Sequence, residues 1–333
     1  MAYDGRILRR ALQRFEEDRR ERDQRLQARR ESVFNRQPRL REIDAELRAT
    51  MSRLISGALR KGANPKEAVE ALRRDNLGLQ AERRKLLREL GCPDGYLDES
   101  PACPLCGDTG YRNGTMCRCL RRYYTQEQQK ELSQMLDLGS QSFDTFSLEW
   151  YSDEDDLGLG ISARENMEWI FRTCRRYAES FRPGCGSLLM TGDPGLGKTF
   201  LSAAIARDVS GDGWSVVYDT AAHIFDRFEA RKFGREEGET IDSDITRVLT
   251  CDLLILDDLG TEMTTSYVQS ALYTIINTRL LDHKATILST NLKLNDLSRR
   301  YSPQIASRIE GEYQILPFFG EDIRKLKRER GAE

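Results

Sequence analysis

The sequence has no apolar run near the roughly 20 residues that a membrane span requires, and its start, MAYDGRILRR, lacks the apolar core of a signal peptide. The expectation is a soluble, cytoplasmic protein with no membrane partner. Histidine is scarce, with only His223 and His283 in 333 residues. Neither lies near the cysteine cluster described below, so a metal site there has to be all-cysteine. No internal repeat, low-complexity tract or helix-turn-helix pattern occurs, which excludes an obvious reader of duplex sequence. Net charge is nearly absent too, at −2, but that value hides a division. Residues 1–90 hold 24 Lys/Arg and 15 Asp/Glu, a balance of +9; the remainder holds 28 and 39, a balance of −11. In the basic part, charges of both signs alternate (RRERDQRLQARRE), the pattern of a solvated helix face more than of a nucleic-acid arm.

A chain of this length, 39% hydrophobic and 32% charged, supports one full α/β core and a smaller module. Residues 3–36 read as a charged helix whose apolar face is little more than Ile7, Leu8, Ala11, Leu12 and Phe15. From Pro38, Ile43, Leu47, Met51, Leu54 and Ala58 recur on one helical stripe, and Val69, Leu72, Leu79, Leu86 and Leu90 form a second. Between them GANPKE supplies Gly62 to end one helix, Asn64 to cap the next, Pro65 at its first position and Glu67 to complete the cap. An antiparallel helical hairpin is predicted. A short helix follows over about 121–135, then an acidic loop, SDEDDLGLG, and a helix over about 163–180. SLLMT, SVVYD, DLLILDD, ATILSTN and YQILPF are short, apolar and β-rich and alternate with helical segments, so the C-terminal part reads as a parallel α/β sheet. The expected domains are a helical arm over 1–90, a cysteine-rich module and linker helix over 91–135, and an α/β nucleotide-binding domain over 140–333.

Gly192-Asp193-Pro194-Gly195-Leu196-Gly197-Lys198-Thr199, followed by Phe200, fits G-x-x-x-x-G-K-[ST] between an apolar strand and a helix. The glycines let backbone N–H groups wrap phosphates, and the helix N-terminus adds its dipole. Lys198 reaches the β/γ-phosphates, and Thr199 offers a hydroxyl to Mg²⁺. DLLILDDLG ends a buried strand on Asp257, suited to the magnesium, and Asp258, suited to polarising an attacking water. Asn291, at the end of ATILSTN, is placed to orient that water. Beyond it stand Arg299, Arg300, Arg308 and Arg324, candidates for a cation supplied to a nucleotide, one of them across subunits. In AAHIFDRFEARKFGR, Arg227, Arg231, Lys232 and Phe233 mix cations with an aromatic, a composition suited to single strands.

Four of the eight cysteines cluster as Cys103-x₂-Cys106, ten residues, then Cys117-x-Cys119. Four thiolates suffice for a closed tetrahedral Zn²⁺, and CPLCG has the proline and glycine of a tight knuckle. Cys92 is a possible substitute ligand, whereas Cys174, Cys185 and Cys251 are scattered and read as packing residues.

In this order, GDPGLGKTF, LLILDDLGTE, TIINTRLL, ILSTNL, ASRIEGEY and FFGEDIR resemble the AAA+ class of P-loop ATPases. Within it they are similar to the bacterial DnaC-type helicase loaders and the related IstB-type transposition ATPases. The resemblance implies an AAA+ core binding ATP and Mg²⁺, with Lys198 and Thr199 as the Walker A pair, Asp257 and Asp258 as Walker B and Asn291 as sensor 1. It places Arg308 on the arginine finger and Arg324 on the sensor 2 arginine. Asp258 stands where most members carry glutamate, and only nine residues follow Arg324, so a helical lid is minimal and the route of Arg324 to nucleotide is open. Phe143-Asp-Thr-Phe146 resembles the segment near the adenine pocket. GCPDGYL followed by the cysteine block resembles the Clostridia-type loaders, a module the transposition branch usually lacks. The resemblance therefore implies loading of a DnaB-type replicative helicase onto single-stranded DNA by self-associating AAA+ domains. Remodelling of duplex DNA for a transposase is the alternative.

Overall fold

The computed structural model describes residues 3–58, 65–136, 141–155, 160–233 and 238–331. Gly62 and Asn64 of the expected inter-helix turn, and residues 156–159 of the acidic loop, lie outside the described residues. So do the side chains of Met51, Leu54, Ala58, Pro65, Glu67, Val69, Leu72, Lys232 and Phe233. The chain packs as two compact units, one formed by Met1–Leu12 with Arg118–Glu333 and the other by Gln13–Cys117. No described helix is long and apolar enough to cross a membrane.

The smaller unit contains most of α1 (Gly5–Arg36), with α2 (Pro38–Ala58) and α3 (Pro65–Glu89). Pro38 opens α2, where a missing N–H costs nothing because the first helical donors have no partner in the helix. Val33, Leu40, Leu87 and Leu97 form the apolar centre, with Leu86, Leu90, Cys92 and Tyr96 against it. On α3 it is Leu87 that is fully buried, one position from the expected stripe residue Leu86, while Leu40 and the expected Ile43 are fully buried on α2. Arg39 ties α2 to α3 through Glu82, donating from Nε to Oε1 at 2.9 Å and from Nη2 to Oε2 at 3.2 Å. The guanidinium holds the Glu82 carboxyl below its ordinary value.

The first turns of α1 belong to the larger unit. Ile7 and Ala11 are buried, the Asp4 backbone N–H donates to the Tyr124 hydroxyl at 2.9 Å, and Arg247 pairs with both Asp4 and Glu131. Of the apolar face expected for α1, Ile7, Ala11 and Phe15 are buried and Leu8 and Leu12 half-buried; Leu26 and Val33, further along the helix, are buried as well, so the apolar face is longer than expected.

The larger unit is a three-layer α/β domain. Its five strands, β3 (Ser187–Thr191), β4 (Val216–Thr220), β5 (Leu253–Leu259), β6 (Ala285–Thr290) and β7 (Tyr313–Pro317), are the five expected from sequence. They lie in the order β4-β5-β6-β3-β7 and are all parallel. Alternate residues serve opposite layers. Leu188, Met190, Ile255 and Ile287 face α5 (Ala163–Glu179) and α6 (Lys198–Gly211), while Leu189, Leu254, Leu256 and Leu288 face α7 (Ala221–Phe233), α8 (Gly238–Thr250) and α9 (Ser266–Leu281). Because both faces are covered, the strands are continuously apolar, and each Leu or Ile so buried contributes about 1.5–3 kcal/mol. α4 (Arg118–Leu136) belongs to this unit, with Gln128 Nε2 donating to Trp214 O at 2.6 Å. After β6 come α10 (Leu294–Arg300) and α11 (Pro303–Glu312), and after β7 the chain ends in α12 (Ile323–Glu329).

Candidate nucleotide and metal sites

In an open parallel sheet, ligands bind at the carboxyl ends of the strands, where the strand order reverses. β3 lies between β6 and β7 at that point, and its carboxyl end runs directly into the glycine loop and α6. Gly195 and Gly197 both hold left-handed backbone. A Cβ on Gly195 would collide with the Asp322 carboxylate, and one on Gly197 would meet the Tyr151 hydroxyl at 2.8 Å. Both positions need glycine for φ, and a side chain there would also have to displace the Asp322 carboxylate or the Tyr151 hydroxyl.

A cavity of about 410 Å³ opens here, lined by Lys198, Thr199, Asp258, Asn291 and Arg324 together with Phe146, Trp150, Tyr151, Phe200 and Lys327. The volume falls in the range of small-ligand sites. Lys198 is 7% exposed, and its ammonium donates to the loop carbonyls of Gly192 at 2.6 Å and Asp193 at 2.8 Å. Burial lowers its pKa, against the opposing pull of Asp258 and Asp257. Leu196 is buried and accepts at its carbonyl from Tyr151 Oη, 3.0 Å. Pro194 and Gly195 line the cavity.

The two aspartates differ. Asp257 is 3% exposed; its Oδ2 accepts from Tyr218 Oη at 2.8 Å and its Oδ1 from Ser289 Oγ. Asp258 faces the cavity with φ of +54°. Its N–H donates to Ser289 Oγ at 3.1 Å. Partial desolvation raises the Asp258 pKa, and the neighbouring Asp257 adds to the rise. Thr199 and Asp258 line the cavity and Asp257 is buried, not among its lining residues; all three offer oxygen donors, the chemistry that fits Mg²⁺.

Arg324 reaches the cavity by a direct route. Asp322 caps α12, accepting from the Arg324 N–H at 2.9 Å, and the Ile323 N–H donates to Gly195 O at 3.1 Å. The short terminal helix is thus docked on the glycine loop itself. Lys327 and Arg330 lie over the Trp150 ring, 5.6 Å and 5.3 Å from its centroid. Phe146 stacks on Phe171 at 5.3 Å and packs edge-on to Phe200 at 5.4 Å. Trp150, Tyr151 and Lys327 are lining residues that the sequence reading did not single out. The aromatic density of FSLEWY was the available signal, whereas nothing local marks Lys327.

Arg308 does not line this cavity. Its guanidinium lies over the ring of Tyr273, 5.3 Å from the centroid, and donates to the hydroxyl at 3.2 Å on the surface between α9 and α11. Arg300 donates to Glu262 O, and Arg299 is an exposed partner of Asp296. In α7, Arg227 pairs with Asp219 and Asp244, and Arg231 with Asp242. Those two cations are internally neutralised, which weakens the expectation that they meet a nucleic-acid backbone.

The Sγ atoms of Cys103, Cys106, Cys117 and Cys119 all lie within 4.8 Å of one another, with Cys103 and Cys117 at 3.7 Å. Tetrahedral Zn–S bonds of about 2.3 Å place sulfurs about 3.8 Å apart, so the group fits zinc. The spacer is a hairpin of β1 (Tyr111–Arg112) and β2 (Thr115–Met116) turning on Asn113-Gly114, both left-handed. That is the Asn-Gly hairpin signal, unused in the sequence reading. It folds ten residues back on themselves and returns Cys117 to Cys103. Asp108 Oδ1 and Oδ2 accept from the Cys103 and Ala102 N–H groups at 2.8 Å and 2.9 Å, fixing the knuckle. Cys92 is not in the group and packs in the hairpin core. Of the scattered cysteines, Cys174 and Cys251 are buried, Cys185 packs partly buried against the core, and burial pushes the Cys174 thiol up to about 12.

The parallel sheet, glycine loop and strand-end aspartates have the arrangement of a P-loop nucleotide-binding site. Residues 179–326 match the family described as IstB-like ATP binding protein. Similar curated proteins include the replicative helicase loader DnaC of Escherichia coli (strain K12), 28% identical over 137 residues, 40% of this chain and 54% of that protein. Another is the uncharacterized protein YdaV of the same strain, 26% identical over 145 residues, 44% and 57% of the two chains. The chain thus spans about half the length of these relatives. Among solved structures, the DnaC helicase loader aligns with TM-score 0.45 and 21% identity over 55% of this chain and 99% of that one. DnaI aligns with TM-score 0.43 and 22% identity over 56% and 93%. The likeness is confined to the matched segments, where the chain is similar both to the IstB-like ATP binding protein family and to proteins named replicative helicase loader DnaC.

Proposed function

We propose that this protein is an ATP-dependent loader of a DnaB-type replicative helicase onto single-stranded DNA. The observation that carries the nucleotide part is the convergence of Lys198, Thr199, Asp258, Asn291 and Arg324 on one cavity beside an aromatic cluster. The loader part rests on the relatives named DnaC across the ATPase segment and on the four-cysteine cluster. In this reading, residues 1–90 grip the helicase, 91–135 hold a structural Zn²⁺ on Cys103, Cys106, Cys117 and Cys119, and 140–333 bind and hydrolyse ATP.

The glycine loop from Gly192 to Gly197 wraps the phosphates. Lys198 exchanges its two carbonyl acceptors for phosphate oxygens, which also removes the burial cost of its charge. Thr199 and Asp257 would hold Mg²⁺, which would supply charge neutralisation at the phosphates. Asp258 accepts the proton of the attacking water, a role its raised pKa suits, and Asn291 orients that water. Arg324 meets the phosphates within the chain, and Arg308 meets those of a neighbouring copy. Turnover is slow until helicase or DNA assembles the copies.

The family description also supports a second reading, a transposition ATPase that remodels duplex DNA. Co-purification of the full-length protein with the host's replicative helicase, with and without ATP, separates the two. Nucleotide-dependent helicase binding, with turnover stimulated by single-stranded DNA, is the expected result. No helicase binding, with stimulation by duplex DNA and a transposase, would overturn it. Equal slow rates in every condition would point to an ATP-dependent adaptor instead.

A further inference from the structure

The phosphate-binding helix and the aspartate strand are joined by a buried hydroxyl chain for which the motifs give no reason. Tyr218, on β4, is fully buried, as is Ser202 on α6, one turn after Thr199. Tyr218 Oη donates to Asp257 Oδ2 at 2.8 Å and lies 2.9 Å from Ser202 Oγ, which is 3.1 Å from Thr199 O. β4 pairs directly with β5, with Thr220 opposite Asp257, so the tyrosine reaches the carboxylate from two residues back on the neighbouring strand.

The arithmetic of lone pairs gives this chain a consequence. An ionised carboxylate offers about four acceptor sites. Asp257 spends two on Oδ1, to Ser289 Oγ and to the Asp258 N–H at 3.2 Å, and a third on Oδ2, to Tyr218. One site is left, on Oδ2, and its direction is set by the phenol. We infer that Tyr218 is a positioning residue for Asp257. It fixes the single lone pair left for a divalent cation or its water, and Ser202 anchors it to the helix that carries Thr199. Three contacts run from Thr199 O to Asp257 Oδ2, and two hydroxyl protons serve them. The tyrosine proton can therefore point to the carboxylate, with the serine proton on the phenol oxygen. With the phenol proton held on the carboxylate, the serine proton can instead go to Thr199 O. The carboxylate and the start of α6 thus share one hydrogen-bond arrangement.

This inference rests on the reading of Asp257 as the magnesium carboxylate, and its test separates the two. Affinity for a fluorescent ATP analogue is measured across a Mg²⁺ titration in full-length protein carrying Tyr218→Phe, Ser202→Ala or Asp257→Asn, with the melting temperature of each. Partners that orient a ligating group are typically worth 10–100-fold in metal affinity, so Tyr218→Phe should raise the Mg²⁺ half-saturation about tenfold. Affinity for the analogue without Mg²⁺ should hold to within about twofold, a split that a purely structural loss would not produce. Ser202→Ala should shift it in the same direction by less, and the two changes together should be less than additive. If Asp257→Asn shifts the Mg²⁺ titration and Tyr218→Phe does not, the positioning role is overturned alone. If Asp257→Asn shifts nothing, the magnesium reading falls and this inference with it. Should Tyr218→Phe not fold, Ser202→Ala decides, and an unshifted titration there overturns the inference.

Discussion

Asp258 carries its carboxylate on a backbone that most side chains avoid. Its φ of +54° lies in the left-handed region, where aspartate and asparagine are tolerated better than other non-glycine residues, at a cost of order 1 kcal/mol. Thr261 holds the turn, donating to Asp258 O through its backbone N–H at 3.3 Å and its hydroxyl at 2.9 Å. Strain retained at a cavity wall aims a group, and here it turns Asp258 outward while Asp257 stays inside. Asn shares that conformational tolerance, so Asp258→Asn should keep the fold and nucleotide affinity while removing the proton acceptor. A fall in kcat of about 10²–10⁴-fold with KM for ATP nearly unchanged is expected in steady-state assays. A proportionate loss of ATP binding would instead assign Asp258 to the binding set. At this scale the sequence was informative where chemistry is written into a motif, as at Lys198 and Asp257. It was silent where burial decides: Arg279 is fully enclosed and donates to the carbonyls of Val248, Cys251 and Ala285. Nothing in TIINTRLL distinguishes that arginine from a surface one.

Among elements, the five strands were legible because a parallel sheet covered on both faces demands unbroken apolar runs of about five residues. The two-residue strands of the cysteine loop offered no such periodicity, and their signal was the turn, Asn113-Gly114. Their function is to bring distant thiols together, and the knuckle at Cys103 is shaped by Asp108, itself left-handed at φ +59°. Two backbone N–H groups and Arg22 hold the Asp108 carboxyl below its ordinary value, although burial opposes the shift. Asp108→Ala removes both N–H acceptors from a loop too small to order itself without a ligand. Elemental analysis of purified protein should give about one zinc per chain in the wild type, by the four-ligand rule for structural zinc, and faster loss to a chelator in this variant. Wild-type protein that purifies without zinc would leave the cluster as a set of reduced thiols.

For the molecule as a whole, the question is whether the nucleotide site is complete in one chain. Within the chain, α12 brings Arg324 to the cavity through the Ile323 to Gly195 hydrogen bond, a reach that the short tail after β7 made hard to foresee from sequence. Arg308, by contrast, is turned to Tyr273 on a different surface of the same unit. A cation stacked on an exposed ring gains about 0.5–1 kcal/mol, little enough for a phosphate on another copy to displace it. If Arg308 acts between copies, the loss should be rescued in mixtures. Arg308→Ala alone should lower kcat by about 10³-fold, the scale of a missing arginine finger, while leaving ATP affinity intact. Lys198→Ala alone should be inactive through failure to bind ATP. Combined, the first variant supplies a competent nucleotide pocket and the second an intact arginine, so activity should reappear in proportion to mixed contacts. Titrating one inactive variant into the other and following phosphate release makes the distinction. A rise and fall with mixing ratio places Arg308 across an interface, and a flat line confines its action to its own chain.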